Sequence, residues 1–575
     1  MALDEQTLQR LRRLALENAV RHGSPPRPES VLSRALATEP ELRHRAPEAQ
    51  AAIRDLVGAL SAQTPAEWAD ALDRLGGARP APAPSGGGSA GGFPELPGAV
   101  PGRVVLRLAP FPSGALHIGN GRLLYVNDYY RQRYGGQLYL VFDDTIGSDE
   151  KRIEPEFFPM ILEDLELTGV RPDRVFYKSD RVPRFYPWAR RVIDAGGAYV
   201  CRCPADQLRE NRRAGRACPE RAQSVGETVE LWEQMLAGRF AVGEAVLRLR
   251  TDLQDPDPAF RDRVLFRLSD FDHPRVGQKY RVWPMLEFSW AVDDVELGIT
   301  HVLRGKDLVI EDRMQEYIWR ILGIQGPPFL HWGILRVREA KLSKSKSYAE
   351  VKSGQYDGWA DPRTWSFRSL ERRGIRMEAV RKFVLSFGLS LSDVEVPAET
   401  LYAENRQIID ATTPRRAFVA HPRALTVRGF PPELTQIELA NHPDHPELGR
   451  RSLTLTDTFY LSEADLTAHR GEEIRLKDLL NLRLPRELSS DGPIEGEFTG
   501  RDNRRLPRLQ WVPRDGAVPI DLLQIDGTHT TGMGEPSIAT AEPGTSFQFE
   551  RVGFVRLEAD RPRGEVPVRV VFGHP

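Results

Sequence analysis

A parallel α/β core, preceded by a helical appendage and followed by a β-rich region, is the architecture this 575-residue sequence predicts. Three observations carry that expectation. Residues 103–142 run from an apolar strand-like stretch through a glycine-bearing turn and a helical pattern to a second strand-like stretch. A Pro/Ala and then Gly/Ser segment at residues 78–92 sets off everything before it. From about Thr412 helical periodicity fades, and short apolar runs alternate with Pro, Gly and Asp. A chain of this length exceeds one hydrophobic core, so several domains are expected.

The N-terminal stretch reads as helices. Leu8, Leu11, Leu14 and Leu16 form an amphipathic pattern, and residues 65–75 (PAEWADALDRL) repeat it. The following ARPAPAPSGGGSAGG has no apolar surface to bury and reads as a flexible linker. Next, RVVLRLA (103–109) suits a buried strand. PFPSGALHIGNG (110–121) is a turn leading into a helix, where Leu123, Val126, Tyr130 and Tyr134 recur at spacings of three and four. Gly135 and Gly136 supply the stop, and QLYLVF (137–142) is the next strand. Strand, turn, helix, strand is a βαβ unit and implies a parallel sheet. GITHVL (298–303) reads as a further buried strand. Toward the C-terminus ALTVRGF, SLTLTDTFYL and VPVRVVF predict one or two β-barrels.

Composition narrows the functional classes. Apolar residues at 40% and charged residues at 28% are ordinary for a globular protein. No apolar run approaches the roughly 18–20 residues that span a bilayer. The opening MALDEQTLQRLRRLAL mixes charges through its apolar positions, unlike a secretory signal, so a cytoplasmic protein with no membrane partner is expected. Three cysteines cannot build a disulfide framework. A net charge of -2 gives no overall basic signature, so a nucleic-acid partner would have to be held by local patches.

The residues that carry chemistry are His117-Ile118-Gly119-Asn120, at a strand-to-helix junction, and Lys341-Leu342-Ser343-Lys344-Ser345 far downstream. A helix N-terminus presents unpaired N–H groups and a positive dipole, which favour an anion. Glycine lets a nucleotide approach the backbone closely. His117 and Asn120 can donate to phosphate oxygens, and Lys344 adds a mobile positive charge. Together they can stabilise charge building on an α-phosphate. Alone, HIGN reads equally as a structural turn and KLSKSK as a solvated basic loop; their order on a βαβ scaffold favours function.

This pair resembles the HIGH and KMSKS signatures of class I aminoacyl-tRNA synthetases. RLAPFPSGALHIGN, VFDDT, WPMLEFSWAVDDVELGITHVLRGKD, GWADPR, RRGIR, IRLKDLLNL, LQWVP and FERVGFVRLE resemble, in order, blocks of the archaeal glutamyl and the glutaminyl enzymes. The β-rich C-terminus fits that group, since bacterial glutamyl enzymes carry a helical anticodon-binding region instead. The resemblance implies a Rossmann-type catalytic domain with an inserted acceptor-binding subdomain, a helical extension and anticodon-binding β-barrels. Its expected divisions are residues 1–77 for the extension, 78–98 for the linker, 99–198 and 268–345 for the two catalytic halves, 199–267 for the insertion, 346–411 for a helical connection and 412–575 for the barrels.

The implied reaction is ATP- and Mg2+-dependent ligation of L-glutamate to tRNA(Glu), with tRNA(Gln) as a second candidate acceptor. The resemblance places ATP against Pro110, Gly114, His117, Gly119, Asn120 and Lys344, with Lys341 beside it in the catalytic loop. It directs Asp143 at the substrate ammonium, Arg107 at a carboxylate and Arg304 at the side-chain carboxylate. Asp143 and Arg304 also stand at the carboxyl ends of expected strands, where parallel sheets bind ligands. A charge-assisted arginine–carboxylate pair favours glutamate over glutamine. The bland reading is an ion pair of Arg304 with Asp293, Asp294 or Asp307, and of Arg107 with Asp143.

Four positions depart from the family pattern: Asn120 for a histidine, Val141 for an arginine, Ile146 for an acid or amide, and Phe111 for a polar residue. They cluster at the substrate sites and put selectivity in question. Cys201, Cys203 and Cys218 resemble the zinc-bearing insertion of some glutamyl enzymes. The residue two beyond Cys218 is Glu220, neither Cys nor His, so zinc is disfavoured. For tRNA, the basic candidates are residues 209–216 and 501–514, with Arg504, Arg505 and Trp511 offering phosphate contact and stacking. The rivals are a glutaminyl enzyme, a catalytically idle tRNA-binding paralogue, and a small-molecule adenylyltransferase that leaves the C-terminus unexplained.

Overall fold

The computed structural model describes residues 4–22, 26, 28, 31–32, 35, 42, 45–61, 63–75, 92–145, 153–340, 344–489, 492, 494–560 and 566–575. Residues 78–91 of the expected linker, Ile146 and Lys341 lie outside them. The chain divides into two compact units, Met1–Pro94 with Ser386–Gly388, and Glu95–Leu385 with Leu389–Pro575.

The first unit contains helices α1 (Glu5–His22), α2 (Ala46–Ser61) and α3 (Pro65–Arg74). Its core gathers Leu11, Leu16, Ile53, Leu60, Trp68 and Leu72. Of the patterned leucines, Leu11 and Leu16 are buried, Leu14 is half-buried and Leu8 is exposed. Thr64 and Glu67 form a reciprocal cap at the start of α3, Thr64 N–H donating to Glu67 Oε2 at 2.7 Å. Trp68 closes the bundle by donating its Nε1–H to Leu60 O at 3.0 Å.

In the second unit, β1 (Val105–Leu108), α4 (Gly121–Tyr134) and β2 (Gln137–Phe142) form the expected βαβ unit. Gly135 ends α4 in the left-handed conformation at φ 58°, a geometry that costs glycine nothing. The β2 strand pairs in parallel with β3 (Arg174–Tyr177), and helices α5 (Phe157–Leu167) and α6 (Lys178–Asp194) flank β3 in sequence. Successive carbonyls on a strand point to opposite edges. Val104 O receives Gln137 N–H at 2.8 Å, and Val105 O receives Thr300 N–H at 3.0 Å. That second bond sets β8 (Val302–Gly305) beside β1 on the edge away from β2, and β8 pairs in parallel with β9 (Phe329–Trp332). The strand order is therefore β3-β2-β1-β8-β9, a Rossmann-type sheet.

The strand expected at residues 298–303 begins later than its apolar run suggests. Gly298, at φ 68°, and Ile299 instead turn back onto the preceding helix, Gly298 N–H donating to Val295 O at 3.2 Å and Ile299 N–H to Asp294 O at 3.0 Å.

Between the sheet halves, β4 (Ala198–Cys201), β5 (Val246–Leu249), β6 (Val264–Leu268) and β7 (Val282–Pro284) make a four-stranded antiparallel sheet. Helices α7 (Ala205–Ala214) and α8 (Val225–Leu236) lie between β4 and β5. Trp232 of α8, Phe266 of β6 and Phe185, Met314 and Trp319 share one hydrophobic cluster, so this antiparallel sheet packs on the helices that flank the parallel one. After β7 come α9 (Leu286–Glu296) and α10 (Val309–Leu322). Beyond β9 lie β10 (Leu335–Val337), α11 (Lys344–Lys352), α12 (Phe367–Arg372) and α13 (Met377–Leu385).

From residue 412 the chain builds two seven-stranded sheets. One packs Leu425, Phe459, Ile474, Leu482 and Trp511 into its core; the other packs Phe418, Ile520, Phe547, Val555 and Val570. Buried Glu535 ties them together, accepting from Ala417 N–H at 2.7 Å and from Nε and one terminal nitrogen of a bidentate Arg451, at 2.5 and 2.7 Å.

Candidate active site

The turn from β1 into α4 carries His117. Leu116 N–H donates to Asp164 Oδ2 at 2.8 Å, and Arg368 Nε holds the other oxygen of that carboxylate at 2.6 Å. Ile118 N–H donates to Trp365 O, Phe367 N–H donates to Leu116 O, and His117 forms an isolated bridge with Ser366. The GWADPR segment and the residues after it therefore clamp the turn from the far side of the sequence. Gly114, at φ 153°, leaves room for the Trp359 ring, which a Cβ there would meet at 2.7 Å.

Within the turn, His117 Nδ1 accepts from Gly119 N–H at 3.1 Å, and Asn120 Oδ1 accepts from His117 N–H at 3.1 Å. With Nδ1 accepting, a neutral imidazole carries its proton on Nε2. Asn120 thus performs a capping task where the family pattern has a histidine. A cavity beside the turn is lined by His117, Gly119, Leu335, Arg336, Arg338 and Glu395, next to the approach of α11. Lys344 opens α11. Pro110 is buried before the turn, its carbonyl accepting from Asp143 N–H at 3.2 Å, and Phe111 O accepts from Ser113 N–H at 3.0 Å.

The other half of the site is a buried charge cluster. Arg107 on β1 makes a bidentate pair with Asp294, its terminal nitrogen at 2.9 Å. Burial opposes its charge, yet Asp294 outweighs that and holds the guanidinium more firmly protonated than usual. Asp143, at the end of β2, pairs with Lys178 Nζ at 3.0 Å. Arg304 on β8 pairs with Asp312, its Nε at 2.7 Å. The ion pairs weighed from the sequence were with other partners; the actual ones come from helices α6, α9 and α10. Burial and the nearby Arg107 lower the proton affinity of Arg304.

All three cations face one indole. Trp290 of α9 has Arg107 Cζ at 4.4 Å, Lys178 Nζ at 4.9 Å and Arg304 Cζ at 5.0 Å from its ring centroid. Burial depresses Lys178, and Asp143 opposes that depression. Asp144 accepts from Ser179 N–H and Oγ at 2.9 and 2.6 Å, and burial pushes its carboxyl up to about 6. Asp293, held by Arg181 at 2.7 Å, is likewise raised by burial to about 6. Sequence reasoning missed Lys178, Trp290 and Asp312, since YKSD, FSWAV and EDRM read as ordinary amphipathic helix. Val141 is buried among Tyr139, Ile299 and Val302, so its departure from arginine is spent on packing.

The cysteines converge with Glu220. One ligand atom from each of Cys201, Cys203, Cys218 and Glu220 falls within 4.8 Å of the others, and the Cys201 and Cys218 sulfurs are 3.7 Å apart. Four donors suit a tetrahedral ion in number. The guanidinium of buried Arg248 lies 3.7 and 3.8 Å from two of the same sulfurs, so a positive charge is already present there.

In the C-terminal region Arg504 pairs with Glu473 at 2.8 Å and with Asp502 at 2.9 Å, while Arg505 is exposed. Trp511 does not match the stacking role its sequence context suggested. It is only 3% exposed, donates Nε1–H to Lys477 O at 2.8 Å and meets Phe459 edge-on. Its ring belongs to the barrel core. Arg209 and Arg216, in the other basic segment, pair with Asp206 and Glu210 on the surface.

Comparison with known proteins accords with this arrangement. A family model described as tRNA synthetases class I (E and Q), catalytic domain, matches residues 103–411. Two models for the anti-codon binding domain of the same group match residues 413–498 and 508–558. A glutamate–tRNA ligase of Methanopyrus kandleri is 39% identical, with all of both chains covered. Those of Methanothermobacter marburgensis and Pyrococcus abyssi are each 38% identical, covering 96% and 97% of this chain and 97% and 98% of theirs.

Proposed function

This chain belongs to the class I tRNA synthetases for glutamate and glutamine, and from that premise we propose that it is a glutamate–tRNA ligase. It joins L-glutamate to the 3′ end of tRNA(Glu) through a glutamyl-adenylate. The observation that carries the choice of glutamate is Arg304, buried at the end of β8 and sharing the Trp290 ring with Arg107. Two buried guanidiniums beside one ring suit a substrate with two carboxylates, which would compete with Asp294 and Asp312 for them. An amide in place of the second would leave a guanidinium poorly matched.

In the first step a carboxylate oxygen of glutamate attacks the α-phosphorus of ATP, and pyrophosphate leaves. Asp143 receives the ammonium, Arg107 the α-carboxylate and Arg304 the side-chain carboxylate. His117 donates from Nε2, Asn120 from its amide NH2, and Lys344 with Lys341 brings positive charge to the phosphates. Magnesium supplies further charge neutralisation on the departing pyrophosphate. This is positioning and electrostatics, with no protein nucleophile. In the second step a hydroxyl of the terminal adenosine of tRNA attacks the adenylate carbonyl, releasing AMP. Arg504 and Arg505 serve the tRNA backbone on the C-terminal region. The cysteine cluster has no part in these steps; with Arg248 as counter-cation it is a reduced structural knuckle, and stoichiometric zinc in chelator-washed protein would overturn that reading.

The test is charging of tRNA(Glu) and tRNA(Gln) transcripts with ATP and labelled glutamate or glutamine. Glutamate on tRNA(Glu) is the expected product, and the second tRNA shows whether the enzyme discriminates. Glutamine charging would mean that Arg304 does not read the side chain.

A further inference from the structure

The Trp290 ring is shared by the three cations of the cluster, with Phe329 also against Arg304 at 4.8 Å and Ser289 Oγ 2.8 Å from Lys178 Nζ, and its position is unusual on two counts. First, Arg107, Lys178 and Arg304 come from three different elements, β1, α6 and β8, yet each lies within 5.0 Å of this single ring. Second, its Nε1–H is buried with no acceptor among the described residues. An indole N–H is donor only, and leaving it unmet inside a protein carries a free-energy penalty. Other buried tryptophans here satisfy theirs: Trp319 donates to Ala291 O at 2.8 Å and Trp283 to Tyr280 O at 2.9 Å.

The ring is also held rigidly. Trp290 and Asp294 sit one turn apart on α9, so the helix that presents the indole presents the carboxylate clamping Arg107. Each cation rests near the ring and is paired with Asp294, Asp143 or Asp312. The indole therefore sets the spacing between the cation meant for the α-carboxylate and the cation meant for the side chain.

We infer that Trp290 determines amino-acid specificity by fixing the length of side chain that reaches Arg304, with its indole as the wall of the pocket and its N–H supplied with an acceptor by the bound amino acid. This rests on the reading of the cluster as the glutamate site. A dicarboxylic amino acid one methylene longer, 2-aminoadipate, is excluded by the wall and not by charge, because it carries the same two carboxylates and ammonium.

The test uses the full-length enzyme with tRNA(Glu) transcript and ATP, measuring kcat/KM for glutamate and for 2-aminoadipate in wild type, Trp290→Phe and Trp290→Ala. Thermal unfolding of each variant shows that it is folded. The expected result is that Trp290→Ala narrows the preference for glutamate by at least about 10-fold, within the range a single methylene contributes to discrimination. Trp290→Phe, which keeps a wall but loses the donor, raises KM for glutamate by about 3–10-fold with kcat nearly unchanged. An unchanged glutamate-to-aminoadipate ratio in a folded, active Trp290→Ala enzyme overturns the inference. Should the alanine variant not fold, the difference in tryptophan emission between wild type and Trp290→Phe decides. Glutamate must change the Trp290 contribution, and no change overturns the proposal. Wild-type enzyme that charges no glutamate sinks the glutamate reading itself, an outcome separable from both.

Discussion

Two buried tryptophans, Trp290 in the catalytic domain and Trp511 in the C-terminal region, look alike by exposure, at 5% and 3%. Their surroundings differ completely. Trp511 meets Phe459 in an apolar cluster of leucines and isoleucines, and its N–H is satisfied by a backbone carbonyl. Trp290 meets three cations and has an unmet N–H. Desolvating so many charges is costly, and a fold does not need it for stability. The contrast teaches that buried polar density, more than burial or residue type, marks where chemistry is done. Around Trp511 the residues hold a barrel together; around Trp290 they hold three paired cations against one ring.

The comparison predicts opposite responses to substitution. Arg304→Gln should lower kcat/KM for glutamate by about 10³-fold while leaving Asp312 only its His331 contact, a loss in the range of a truncated buried ion pair; a fall of less than tenfold would detach Arg304 from the substrate. Trp511→Ala should cost about 3–4 kcal/mol of stability, read from denaturant unfolding, while tRNA-independent binding of ATP by the folded fraction is unchanged. Loss of ATP binding without loss of stability would break the contrast. Lys344→Ala should lower activity about 10²-fold with unfolding unaffected, as expected of a group that meets phosphate charge in the transition state.

A smaller effect sharpens the barrel side. His574 is fully buried, stacks on Tyr402, accepts from Asn405 Nδ2 at 3.0 Å and donates Nδ1–H to Pro575 O at 2.9 Å. Burial pulls its pKa down to about 4 from an ordinary 6.5. The unfolded chain therefore binds more protons between those values, and stability falls as pH drops from 6.5 toward 4, by about 3 kcal/mol in all. His574→Gln should flatten that slope in pH-dependent unfolding, with no change above pH 7 attributable to titration. Smallest of all, Asn120→Ala should cost about 1 kcal/mol through loss of the His117 cap. It should lower the rate only a few-fold, because His117, which keeps its Gly119 contact, and Lys344 still meet the phosphates when the Asn120 amide is lost.

Much of the catalytic fold was legible because it rests on local rules. The βαβ unit announced itself through an apolar strand, a glycine stop at Gly135 and periodic apolar positions between them. Arg107, Asp143 and Arg304 could be singled out because they stand on those strands or at their ends, and the structure brings all three into one buried cluster. Their partners were not. Lys178 and Asp312 sit in helices whose charge patterns match solvated faces, and only the tertiary packing brings them inside. The GITH run failed as a strand because an apolar run cannot reveal that Gly298 turns the chain first. Trp511 misled for the converse reason: neighbouring arginines suggested an exposed platform, while its alternation within the strand region turned it inward.

The clamp on the nucleotide turn has a bearing on how the enzyme is made. His117 and Ile118 take their backbone contacts from Ser366 and Trp365, and Leu116 binds Phe367. A ribosome adding residues one at a time delivers the turn long before its clamp. Until residue 367 has cleared the exit tunnel, the nascent polypeptide carries a first βαβ unit whose turn is held only by its own hydrogen bonds and by Asp164. A chain released between the end of that unit and residue 365 therefore lacks the Trp365, Ser366 and Phe367 contacts that complete the turn.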